Sequence, residues 1–172
     1  MTGFFIRLFI VFSVWFVCYN LILKPTRVID RPLTNFLTSA ATKCINVFYS
    51  SANQVSWAES KVKNCADMFK QDRLVFQIYD VCNGIDLMFI YIGVLFLLPF
   101  PVKRKLWFSG VGVIVIALFN IVRICSLYFI YIYQRSAFDF SHHYLFTLLM
   151  YVVIFFGWLL FIRKAKPDEK SS

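Results

Sequence analysis

From Tyr144 to Ile162 the chain runs for 19 residues without a charge, and the run closes on Arg163-Lys164-Ala165-Lys166. A helix of that length and apolarity spans a hydrocarbon core of about 30 Å, and an aqueous surface has no place for it. Three further runs repeat the pattern: Phe4 to Leu23, Val81 to Phe100 and Leu106 to Tyr133. Composition agrees, since 60% of residues are hydrophobic and mean hydropathy is +0.69, against roughly 45–50% apolar in soluble domains. The expected fold class is an all-α polytopic membrane protein: one membrane domain over 1–172 with about four transmembrane helices, at 4–23, 81–100, 106–133 and 144–162.

Details of the runs sharpen this reading. Phe4 to Leu23 lacks a small-residue cleavage site, so it reads as an uncleaved first span rather than a signal peptide. The second run stops at Pro99-Phe100-Pro101, a helix-ending signal. The third, 28 residues long, would reach ~42 Å as a helix and must tilt or protrude. Within the long polar region 24–80, Leu33, Phe36, Leu37, Ala40, Ala41, Cys44, Ile45 and Phe48 recur at helical spacing. Opposite them fall Asn35, Thr38, Ser39, Thr42 and Asn46, which predicts an amphipathic helix on the membrane surface or on the bundle. Leu74, Phe76 and Ile78 then alternate with Val75, Gln77 and Tyr79, predicting a short strand that leads to Cys82.

The net charge of +9 does not indicate nucleic acid, because the basic residues sit at the ends of apolar runs and in one loop. They indicate topology instead. Lys103-Arg104-Lys105 and the cluster Arg163 to Lys166 are separated by two spans and share one side, which the positive-inside rule makes cytoplasmic. Lys24, Arg27 and Arg31 argue the other way, and Arg7 weakly supports the assignment; the two clusters flanking three spans carry more weight. Both termini are then expected inside, with 24–80 extracytoplasmic and 163–172 a polar cytoplasmic tail.

In that frame three reactive side chains converge. Cys82 lies in Tyr79-Asp80-Val81-Cys82-Asn83-Gly84-Ile85-Asp86, at the outer end of the second span, and His142 and His143 open the fourth at the same side. Arg123 lies 17 residues beyond Leu106, or ~26 Å along the third span, near the outer interface as well. A thiolate, an imidazole that can activate it and protonate a leaving amine, and a guanidinium that can hold an oxyanion together suit acyl transfer. Adjacent histidines leave a helix about 100° apart, so one of the two is expected to face the thiol and the other headgroups or water. Asp86, four residues after Cys82 and therefore expected on the same helical face, offers a different role for Arg123, as half of an intramembrane ion pair, with Asn120 on the Arg123 face. On that alternative the chain is a non-enzymatic membrane assembly subunit. A third reading, thiol redox exchange between Cys82 and a Cys44–Cys65 disulfide, has no C-x-x-C to support it. No H-E-x-x-H occurs and the five cysteines are dispersed, so neither a metal nor another cofactor is expected.

Cys82-Asn83-Gly84 opening a span, Asn120-Ile121-Val122-Arg123 late in the next and a histidine starting the last resemble the exosortase/archaeosortase family of polytopic membrane transpeptidases. The resemblance covers about Asp80 to Trp158, with motifs in the right order and spacing. It implies Cys82 as nucleophile, Arg123 as the oxyanion or substrate-carboxylate contact and His142 as acid/base. Asn83, Gly84, Asn120, Asp86 and His143 are supporting candidates. It also implies cleavage of C-terminal sorting signals (motif, transmembrane helix, basic tail) of exported proteins at the outer face of the bacterial cytoplasmic membrane. Transfer of the new C-terminus to a lipid or sugar acceptor would follow. The chain departs from the family pattern in having C-N-G for the common C-S-G, Asp86 where many members carry a basic or polar residue, and a shorter length than the larger exosortases. It looks like a compact member of the kind found in the Bacteroidetes group.

Overall fold

The computed structural model describes residues 2–49, 54–60 and 64–163; the expected cytoplasmic tail beyond Arg163 lies outside them. Helix α1 (Thr2–Cys18) continues through a π-helical turn (Tyr19–Leu23) and a last α turn (Lys24–Thr26), ending at Arg27 in the left-handed region, φ 52°. Helix α2 (Asp30–Asn46) follows, then strands β1 (Val55–Glu59), β2 (Cys65–Lys70) and β3 (Arg73–Tyr79), and a 3-10 turn at Asp80–Cys82. Helices α3 (Ile85–Leu97), α4 (Val102–Tyr133) and α5 (Phe146–Arg163) complete the bundle, α5 being preceded by a π-helical turn at Ser141–Leu145.

Among the described residues three helical stretches are long and apolar enough to cross a membrane: Leu8–Thr26, Val102–Tyr133 and Arg135–Arg163. The second expected span is shorter than its apolar run. Only Ile85–Leu97 is helical, 13 residues or ~20 Å, because Gly84 at φ 82° breaks the helix at one end and Pro99 and Pro101 bound it at the other. The large exposed apolar side chains of α1, Phe9, Phe16 and Val17 among them, are what a lipid-facing helix presents. Its inner flank holds α3 by stacking Trp15 on Phe89, with ring centroids 3.8 Å apart. At the far end of the bundle Lys103-Arg104-Lys105, expected as a loop, forms the first turn of α4 and caps its neighbours. Arg104 Nη2 donates to the Phe161 carbonyl of α5 (2.7 Å), and Lys105 Nζ to the Phe96 carbonyl of α3 (3.0 Å), satisfying carbonyls that a helix C-terminus leaves unpaired.

The excess length of α4 is used as a wall. Its last turns place Ile124, Leu127 and Tyr128 in a core with Leu37, Ala41 and Ile45 of α2 and Met68, Phe76 and Ile78 of the sheet. That core fixes α2 in a rotation other than the expected one. Thr34, Thr38 and Thr42 are buried beside Leu37, Ala41 and Ile45, whereas Phe36, Cys44 and Phe48 are exposed. A threonine can be buried here because its hydroxyl donates to the carbonyl one turn back, Thr38 to Thr34 at 2.7 Å and Thr42 to Thr38 at 2.8 Å.

The expected strand is one of three in an antiparallel sheet of order β1-β2-β3. Gln71 and Asp72, at φ 51° and 59°, make the two-residue turn between β2 and β3, with Lys70 opposite Arg73. One outer edge is capped at Val55: the Asn46 carboxamide donates to the Val55 carbonyl (2.8 Å) and accepts from its N–H (2.7 Å). The other edge belongs to β3, whose chain passes directly into the turn that carries Cys82.

Candidate active site

Cys82 is held by polar contacts on both sides of it in sequence. Asp80 accepts from Arg27 Nε (2.6 Å) and from the Thr34 hydroxyl (2.8 Å), which anchors the start of the turn to α2 and to the loop before it. Asn83, fully buried, donates to Asp30 Oδ1 (2.9 Å), while its own side-chain oxygen accepts the Ile85 N–H (2.9 Å) and so caps α3. Asp30 also accepts from the Tyr19 hydroxyl (3.0 Å), a residue brought inward by the π-helical turn of α1. From the opposite side Asn120 of α4 donates to the Cys82 carbonyl (3.2 Å). Gly84 permits this approach twice over: its φ of 82° suits glycine, and a Cβ there would lie 2.9 Å from Asn120 Nδ2.

The thiol itself faces His142, with Sγ and Nε2 3.8 Å apart. His142 sits in the π-helical turn before α5 and stacks on Phe138 at 5.7 Å, nearly parallel; such turns often mark functional positions. His143 is exposed, its ring 4.7 Å from that of His142. Arg123 lies one turn beyond Asn120, beside the Cys82 thiol, and lines the same cleft of about 510 Å³. Among the described residues no carboxylate lies within ion-pair distance of Arg123. Burial pushes the Cys82 thiol up from its ordinary pKa, and the charge and hydrogen bonding of Arg123 pull part of that back. The remaining walls are largely apolar, from β3, from Ile124, Leu127 and Tyr131 of α4, and from Phe138.

Asp86 is placed elsewhere. Gly84 breaks the helix between Cys82 and Asp86, so the two do not share a helical face; Asp86 lines a separate cavity with Trp15, Tyr19 and Lys24. The Asp86–Arg123 ion pair is therefore not formed. No disulfide joins the cysteines among the described residues, and Cys65 is buried with contacts to Asp67 and Gln77. Sequence reasoning missed Asp30, Thr34, Arg27, Asp80 and Tyr19, which hold the Cys82 turn. The one signal for them was acidic and basic residues standing beside apolar runs, and it does not say which pair.

A half-buried thiol, an imidazole in contact with it and a guanidinium with no carboxylate partner among the described residues, gathered at the end of a helical bundle, define the class as a multi-pass membrane protein with a cysteine-centred cleft. Comparison with known proteins makes the assignment specific: the model of the transmembrane exosortase family (Exosortase_EpsH) matches residues 3–162, and the chain belongs to that family. No curated protein and no solved structure matches it.

Proposed function

We propose that the protein is a membrane cysteine peptidase and transpeptidase that cuts C-terminal sorting signals from exported proteins at the outer face of the bacterial cytoplasmic membrane. The observation that carries this reading is the contact of Cys82 Sγ with His142 Nε2 at 3.8 Å in a cleft shared with Arg123. Cys82 passes its proton to His142 and attacks the scissile carbonyl. Arg123 balances the oxyanion, and His142 protonates the leaving amine as the signal's C-terminal part departs. The resulting thioester is taken up by an acceptor nucleophile or by water. Asn120 and Gly84 act as positioning residues through the Cys82 carbonyl.

Depth supports an outer-face site. Asn120 is 18 residues from the start of α4, so Cys82 lies ~27 Å along that helix from its basic end, close to the far boundary of a ~30 Å core. Arg27 and Arg31 are both paired within the region 24–80, Arg27 with Asp80 and Glu59 and Arg31 with Glu59 at 2.8 Å. On this topology 24–80 is extracytoplasmic, both termini are cytoplasmic and the partners are sorting-signal segments and membrane lipid. The scaffold alternative loses its central pair with the separation of Asp86 from Arg123.

The test is C-terminal peptide mapping of exported proteins in the host, comparing the wild-type protein with Cys82→Ala. Proteins ending in an apolar span and a basic tail keep that end in Cys82→Ala cells and lose it in wild-type cells; the same trimmed ends in both would refute the proposal.

A further inference from the structure

We infer that the substrate chain is held beside Cys82 as a fourth β-strand, added to the free edge of β3, so that the enzyme takes an extended polypeptide and reads its backbone. This rests on Cys82 being the nucleophile. The cleft containing Cys82, Arg123 and His142 is lined by six consecutive residues of β3, Leu74 to Tyr79. Successive side chains of a strand point to opposite faces, so a cavity touching all six meets the strand along its edge.

The hydrogen-bond phase of the sheet identifies the groups on that edge. Asp80 N–H donates to the Asn64 carbonyl (3.1 Å), and Ala66 is opposite Ile78 with Met68 opposite Phe76. In an antiparallel pair the backbone groups of alternate residues point to the partner, so Phe76, Ile78 and Asp80 are turned to β2. Gln77 and Tyr79 are then turned to the cleft, presenting two N–H donors and the Gln77 carbonyl, while the Tyr79 carbonyl opens the 3-10 turn that carries Cys82.

Proteins usually guard such an edge with charge, proline or a covering element. Between Leu74 and Tyr79 there is no charged residue and no proline, although the opposite edge of the same sheet is closed at Val55 by Asn46. The chain leaves β3 at Tyr79 and reaches Cys82 three residues later, so a peptide paired with Gln77 and Tyr79 passes the thiol at its end. Leu127, Tyr131 and Phe138 across the cleft favour uncharged side chains on that peptide. A helical substrate has its backbone groups already paired and cannot bind this way; the segment at the scissile bond must be extended.

The experiment uses the full chain in detergent and measures alkylation of Cys82 by mass spectrometry. The probes are methyl vinyl sulfone and a pool of acetyl-pentapeptidyl vinyl sulfones with randomised side chains. The pool is expected to react at least about tenfold faster than methyl vinyl sulfone, and backbone N-methylation to remove about tenfold at every second residue and little at those between. Gln77→Pro, which deletes one edge donor, should lose the advantage of the pool. A pool no faster than methyl vinyl sulfone, or N-methylation effects without alternation, overturns strand addition on the wild-type protein alone, whatever the proline variant does. If Cys82 resists methyl vinyl sulfone and Cys82→Ala still processes substrate in cells, the nucleophile reading fails instead.

Discussion

Breaking the Arg27–Asp80 pair is expected to cost more than deleting it. Nε and Oδ2 are 2.6 Å apart, and the two side chains retain only 17% and 10% of their exposure. Arg27→Met leaves the Asp80 carboxylate with the Thr34 hydroxyl as its remaining side-chain donor. Removing one member of a buried pair costs about 3–5 kcal/mol, and the residual exposure here points to the lower end, about 3 kcal/mol. In Arg27→Met/Asp80→Leu neither charge remains. Thr34 can turn back to the carbonyl of the preceding turn, Glu59 keeps Arg31, and the loss should shrink to about 1 kcal/mol. Equilibrium unfolding of the solubilised protein in mixed SDS micelles, followed by tryptophan fluorescence, measures both variants. The double variant is therefore predicted to be about 2 kcal/mol more stable than Arg27→Met. A double variant no more stable than Arg27→Met would refute the view that a buried ion pair anchors the Cys82 turn.

Gly84→Ala should lower stability by about 2 kcal/mol in the same assay, from the left-handed backbone and the displaced Asn120 amide, and should slow Cys82 alkylation; an unchanged protein would contradict the packing of Asn120 on Gly84. The alkylation rate of Cys82 should rise with pH through a midpoint above the ~8.5 of a free thiol, because burial raises its pKa. Arg123→Gln removes the group that lowers it, so that midpoint must move further up; a downward shift would be inconsistent with the cation lying beside the thiol. His142→Ala should abolish processing at normal membrane abundance, while His143→Ala, altering an exposed ring, keeps a substantial part of it; the opposite ranking, read by the same C-terminal mapping, would move the acid/base by one residue.

The helices were legible because apolar runs bounded by Lys103-Arg104-Lys105 and by Arg163 carry their own length and direction. Gathering Cys82, Arg123 and His142 required only counting along helices, since 1.5 Å per residue converts sequence position into depth. Asp86 shows where counting fails. The four-residue spacing from Cys82 presumed one continuous helix, and Gly84 at φ 82° interrupts it. Strands β1 and β2 were hidden because Val55–Glu59 and Cys65–Lys70 mix polar and apolar residues, and the hairpin turn uses Gln71-Asp72 without a glycine. The rotation of α2 was misjudged for a related reason: a threonine that bonds to its own helix is apolar toward its neighbours. Contacts such as Asn83 with Asp30, 53 residues apart, leave no periodic trace in a single sequence.

Hydroxylamine capture in the host tests the central claim most directly, because a thioester on Cys82 and a small amine give a C-terminal hydroxamate where water gives a carboxylate. With the wild-type protein, exported chains that have lost their apolar span should end in the hydroxamate when hydroxylamine is present, and with Cys82→Ala they should stay uncut. Trimmed ends that appear in Cys82→Ala cells, or that never carry the hydroxamate in wild-type cells, would contradict covalent catalysis by this thiol.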